Sequence, residues 1–155
     1  MMLALFTFSA NAQYSIGASV GLPTGDAGDL TTLALGFDTN YIFESDHDVA
    51  FGISAGYLTF LGDQMTVANI TISVDDVSFI PLAGLVRYQI SDNFNIGTCL
   101  GYAIGINKGI HGGIYYKPTI GYSIGEKISL NLFYSGISAD DVTVSSFGMG
   151  IALVL

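Results

Sequence analysis

The chain has 155 residues, half of them hydrophobic, with 13 acidic against four basic side chains and a net charge of −9. The length is that of a single domain. Only 11% of residues are charged, against roughly 25% in an ordinary soluble domain. That composition argues against disorder, and four cations on an acidic chain argue against a binder of nucleic acid.

Cys99 is the sole cysteine, and His47 and His111 are far apart. No intramolecular disulfide and no Cys/His metal framework can be built from them. A chain so poor in charge points to lipid as the solvent for much of its surface.

Residues 1–8 form a short apolar run, followed by Ser9-Ala10-Asn11-Ala12. A short apolar core ending in small residues of the A-x-A type is the pattern of a cleaved export signal. The run falls short of the roughly 20 apolar residues of a membrane helix. No Lys or Arg precedes it, as in a signal truncated at its start; a first β-strand is the alternative. The expected organisation is a signal peptide over 1–12 and one β-barrel domain over 13–155.

From Tyr14 onward the chain alternates with period two. Tyr14, Ile16, Ala18, Val20 and Leu22 share one face, with Ser and Gly on the other. Successive strand residues point to opposite faces, so this predicts a strand with one bulky and one small side. The pattern recurs over 31–43, 49–61, 77–90, 94–106, 114–124, 128–135 and 143–155. Eight strands result, most of them near the 9–11 residues that a tilted strand needs to cross a bilayer.

The connections alternate too. Those at 44–48, 91–93 and 125–127 are short; those at 23–30, 62–76, 107–113 and 136–142 are mostly longer. Short turns at one end and long loops at the other are the connectivity of an outer-membrane barrel. Pro81 removes a ladder donor, which predicts a bulge or a position above the bilayer. Phe79 and Leu85 fall on the small phase and Gly84 on the bulky one, so either the register shifts there or some bulky residues fill the lumen.

Charge assigns the faces. The eight segments hold three charged residues, Asp38, Arg87 and Lys117, all on the small or polar phase. A cation on the lipid face at mid-bilayer costs about 2–4 kcal/mol. The bulky phase is therefore assigned to lipid and the Gly/Ser/Thr/Asn phase to a narrow lumen, since eight strands enclose little more than side chains. Asp38 and Arg87 are expected to pair within a lumen ion network, with Lys117 nearer the long-loop end. Tyr14, Tyr41, Phe43, Phe51, Tyr88, Phe94 and Tyr122 lie near the short turns, where an interfacial aromatic girdle is expected.

The residues now resemble the small eight-stranded outer-membrane barrels of the OmpA-transmembrane and OmpX type. The resemblance covers Tyr14 to Leu155. Beyond architecture, residues 80–88 (IPLAGLVRY) look like the fourth-strand segment of that group. The terminal Gly150, Leu153 and Leu155 fit the G-x-x-Φ-x-Φ signal read by the barrel-assembly machinery, with Leu155 where family members usually carry an aromatic. The resemblance implies a closed all-β antiparallel up-and-down barrel in the bacterial outer membrane. It does not imply one activity.

Other motifs weigh little. Three G-x-S-x-G matches, at 17–21, 52–56 and 121–125, lie in or at the ends of strands, whereas a nucleophile of that type needs a strand-to-helix elbow. Asp26, Asp29, Asp63, Asp75, Asp76, Asp140 and Asp141 lie in or beside the long loops, and solvation explains them without a Ca²⁺ site. His111 would need Ser138 or Asp140 beside it to act as a base, and His47 reads as a solvated turn residue. The sequon at Asn69 carries no information in a bacterial setting.

The expectation is a monomeric, non-enzymatic outer-membrane barrel with a filled lumen and acidic surface loops. Its partners are membrane lipid and the assembly machinery, with no cofactor, metal ion or nucleic acid and with the surface partner left open. A narrow porin-like channel, a lipid-modifying enzyme and a lipocalin-type carrier are the rivals.

Overall fold

The computed structural model describes residues 13–25, 28, 31–43, 48–139 and 142–155. The expected export segment 1–12, with Asp26, Asp29, His47, Asp140 and Asp141, lies outside them. Among the described residues there are ten strands: β1 Gln13–Gly25, β2 Thr31–Ile42, β3 Val49–Gly62, β4 Gln64–Val67, β5 Ile70–Ser73, β6 Val77–Gln89, β7 Phe94–Gly105, β8 Gly113–Ile124, β9 Ile128–Ala139 and β10 Val142–Val154. Eight of them close into a barrel in the order β1-β10-β9-β8-β7-β6-β3-β2, while β4 and β5 form a two-stranded sheet of their own.

Every barrel neighbour is antiparallel. Closure runs through β1 and β10, from Ser15 opposite Val154 to Gly25 opposite Val144. Hydrocarbon offers no hydrogen bonds, so a sheet that crosses it must leave no free edge. The alternating pattern sets the register, because a slip of one residue would turn each bulky side chain into the lumen.

The bulky phase faces outward as expected. Ile16, Leu22, Phe37, Ile53, Leu82, Leu100, Ile120, Leu132 and Met149 are all exposed. In the short-turn half, Ser15, Asn40, Ser54, Asn95, Gly97, Gly121 and Asn131 point inward, with Ile42 and Leu85 as buried apolar exceptions.

The long-loop half departs from the expected lumen. Ala34, Leu58, Phe60, Phe79, Ala103, Tyr115 and Ile137 point inward there and belong to one buried cluster. Phe60 and Ile137 are each only 1% exposed, and Phe60 meets Phe79 edge to face at 6.3 Å. Bulky residues therefore fill this half of the lumen, and the register does not shift to avoid them. Phe79 and Leu85 are buried and Gly84 faces outward.

No bulge forms at Pro81. Ala55 faces Leu82 and Leu58 faces Phe79 in the same register, with the ladder lapsing between them. Pro81 is buried, faces inward and keeps its place opposite Ala103 on β7. Dropping two ladder partners accommodates the missing donor without moving the strand. Among the described residues a register shift occurs elsewhere, between Thr31 and Leu33 on β2.

Two expected loops are more ordered than their composition suggests. Residues 136–139 extend β9 and Val142 opens β10, with Ala139 opposite Val142. Within 62–76 the chain forms the β4–β5 hairpin, turning at Ala68 (φ 50°) and Asn69 (φ 65°). Two successive positive φ values make a type I′ turn, whose twist suits a β-ribbon.

Truncating the centre of the apolar cluster opens a cavity that the rigid wall cannot close. Phe60→Ala is expected to lower stability by about 3–5 kcal/mol, measured as urea unfolding of the barrel in lipid vesicles.

Candidate functional site

Asp38 on β2, Arg87 on β6 and Lys117 on β8 all project into the lumen and line one cavity of about 60 Å³, together with Asn40, Ser54, Asn95, Asn131 and Cys99. A second cavity of about 20 Å³ lies between Tyr57, Leu58, Pro81, Tyr115, Phe133 and Ser135. Asp38 and Lys117 line both cavities, so their side chains lie between the polar chamber and the apolar half.

The carboxylate of Asp38 pairs with Lys117, at 3.2 Å from Nζ to Oδ2. Its other oxygen, Oδ1, accepts from Asn40 Nδ2 at 3.0 Å. Lys117 Nζ also lies 4.8 Å from the centre of the Phe133 ring, within reach of a cation–π attraction. Half-buried as they are, with side chains 16% and 22% exposed, both charges have a partner.

This corrects the expected Asp38–Arg87 pair. In the barrel order β2 and β8 are diametrically opposite, whereas β6 is only two strands from β2. Asp38 faces Gly56 on β3, and Arg87 faces Ala50 on the same strand. Six residues of β3 thus separate their levels. Lys117 instead reaches straight across the narrow lumen. Arg87 lines the polar chamber, and among the described residues it forms no ion pair.

Gly17 makes room for the carboxylate. A Cβ there would come within 2.8 Å of Asp38 Oδ1, closer than nonbonded atoms tolerate. Sequence reasoning took the lumen glycines as a group and missed this role, along with those of Asn40 and Phe133. The signal available was their phase: all three occupy inward positions of the period-two pattern.

The aromatic set expected near the short turns lies on the outward face. Tyr14 meets Tyr41 at 4.7 Å, Tyr41 meets Phe43 at 5.3 Å, and Phe94 meets Tyr122 at 5.0 Å. Phe51 and Tyr88 are exposed beside them. At the chain end, Leu153 and Leu155 point outward and Gly150 inward, and Leu155 N donates to Tyr14 O at 2.8 Å.

His111 and Ser138 are both exposed, and among the described residues no hydrogen bond joins them. Asp63 Oδ1 accepts from Gln64 N at 2.7 Å, and Asp76 Oδ1 from Gly62 N at 2.9 Å. Their carboxylates serve the local backbone, and no group of three metal-ligating side chains occurs among the described residues.

No protein-family model and no curated protein sequence matches the chain. Solved structures do. The Yersinia pestis outer-membrane protein Ail, in a phospholipid nanodisc, aligns over 94% of this chain and all of its own, with TM-score 0.61 and 16% identity. The N-terminal β-barrel domain of Pseudomonas aeruginosa OprF aligns over 92% of this chain and 97% of its own, with TM-score 0.57 and 14% identity. This chain has the fold of the small eight-stranded bacterial outer-membrane barrels. A de novo designed transmembrane barrel, TMB2.3, is equally similar in shape, with TM-score 0.61 at 10% identity over 94% of this chain and 96% of its own. At identities this low the likeness speaks for fold and not for activity.

Lys117→Met strands a half-buried carboxylate and is expected to cost about 2–4 kcal/mol in vesicle unfolding. Adding Asp38→Asn should recover most of that loss, while Arg87→Met alone should change stability by less than about 1 kcal/mol. Gly17→Ala, which crowds the carboxylate, is expected to destabilise by about 1–3 kcal/mol.

Proposed function

We propose that this protein is a non-conducting outer-membrane barrel whose task is performed at its long-loop end, as a structural or surface-contact element of the envelope. One observation carries the reading: the large inward side chains Leu58, Phe60, Phe79, Tyr115 and Ile137 occupy the lumen of the long-loop half. Below them the Asp38–Lys117 pair joins opposite walls. A hydrated ion would have to displace both layers, and the two cavities described above measure about 60 and 20 Å³.

The apolar outward face supports residence in a bilayer, with the Tyr14, Tyr41, Phe43, Phe51, Tyr88, Phe94 and Tyr122 set at the interface on the short-turn side. The long connections then face outward. The terminal strand bearing Gly150, Leu153 and Leu155 supports delivery by the barrel-assembly machinery. The surface carries aspartates at 63, 75 and 76 against Lys108, so a partner for the loops would present cations or uncharged surface rather than anions.

Cell fractionation should place the protein in the outer membrane with heat-modifiable gel mobility, the sign of a closed barrel. Reconstituted into planar bilayers, it should give no unitary current steps. Reproducible steps would overturn the filled-lumen reading in favour of a narrow channel.

A further inference from the structure

The β4–β5 ribbon is the upper part of the same hairpin as β3 and β6. Phe60 faces Val77, Val74 N donates to Asp63 O at 2.9 Å, Gln64 faces Ser73 and Val67 faces Ile70. The pairing never slips along this path. The outward phase of the barrel wall, which holds Phe51, Ile53, Leu82 and Ile80, therefore runs on in register to Val67, Ile70 and Ile72.

These three side chains are 59%, 66% and 58% exposed. The alternate face of the ribbon carries Gln64, Thr66, Thr71 and Ser73, with the two threonine hydroxyls 3.4 Å apart. No charged residue occurs between 64 and 73. Asp63, Asp75 and Asp76 cluster at the foot instead. A lone two-stranded ribbon is marginal in water, and a contiguous exposed apolar face marks a contact surface.

The two strands approach closely where the ribbon leaves the wall. Gly62 N donates to Asp76 Oδ1 at 2.9 Å, and a Cβ at Gly62 would run into the Val74 carbonyl. The ladder of the wall ends at Phe60 and Val77, so the ribbon belongs to a separate sheet.

We propose that this ribbon is a lipid-contacting element, lying with Val67, Ile70 and Ile72 against the adjoining bilayer leaflet while its threonine face meets water. Two observations select lipid as the occupant. The apolar face lies on the same side of the hairpin as the hydrocarbon-facing phase of the wall, separated from it by Thr59 and Ser78 and then Asp63 and Asp76, and between 64 and 73 it carries no charge that would have to be desolvated. The aspartates at the foot stay at the polar interface. An amphipathic element of this kind buries its apolar face about 5–10 Å into the headgroup and acyl boundary. The inference rests on the barrel spanning a bilayer and is independent of whether the lumen conducts.

The chain contains no tryptophan, so one introduced indole reports its own surroundings. Ile70→Trp and Thr71→Trp place it on opposite faces of the ribbon. Each would be reconstituted into phosphatidylcholine–phosphatidylglycerol vesicles, with heat-modifiable mobility confirming the closed barrel. Lipids brominated near the top of the acyl chain should quench Ile70→Trp about twofold, given the burial depth of interfacial elements. Thr71→Trp should instead be quenched by aqueous acrylamide. Equal acrylamide quenching of both, with no effect of bromolipid, would overturn the proposal. So would an Ile70→Trp signal shielded from acrylamide yet blind to bromolipid, which would indicate a protein neighbour. Ile72→Trp against Ser73→Trp repeats the comparison should either first variant fail to fold.

Discussion

Hydrocarbon on the outside is the constraint from which the rest follows. It supplies no hydrogen bonds, so the backbone must satisfy itself, and an antiparallel sheet can do that only by closing. It tolerates no charge, so Asp38, Arg87 and Lys117 must turn inward. It also accepts bulky side chains at no penalty, which lets Ile, Leu, Phe and Tyr occupy the outer wall where a soluble protein would need polar groups. A single alternation, held in one register around eight strands, meets all three demands.

The lumen then has its own problem. An eight-stranded barrel is narrow, and whatever points inward meets the opposite wall. The two halves solve this differently. In the long-loop half, large apolar side chains interlock and bury one another, with Phe60 and Phe79 edge to face. In the short-turn half, glycines and amides leave a small polar chamber. Between the two, Lys117 crosses to Asp38 beside the Phe133 ring. That pair works as a strut, because its ends sit on strands four places apart in a ring of eight. The glycine at position 17 is part of the same device, since the carboxylate occupies the space its Cβ would fill.

With large side chains packed in the long-loop half of the lumen, the outer surfaces remain to be considered. The β3–β6 hairpin is the longest excursion from the barrel, and it keeps the wall's two-faced character beyond the last barrel pair. A ribbon with an uncharged apolar face above an acidic foot offers two chemically distinct surfaces within a few residues. Barrels with as little as 10% identity share this fold.

How much of this was legible beforehand follows from the range of each interaction. Period-two alternation is local, so the chain alone determined the eight wall strands nearly to their ends, the outward side of each, and the inward direction of all three charges. The position of Phe79 and Leu85 on the inward phase was visible as well, as a conflict without a resolution. The three-dimensional structure decided what depends on the closed ring. Asp38 takes Lys117 rather than Arg87 because closure brings β8, not β6, across from β2. The ladder passes Pro81 without a bulge because both neighbouring strands hold β6 in place. Residues 64–73 form a ribbon because β3 and β6, once paired, carry their register upward into the connection between them. Spacing along a strand is written in the chain, but which residues meet across a lumen is set only when the sheet closes.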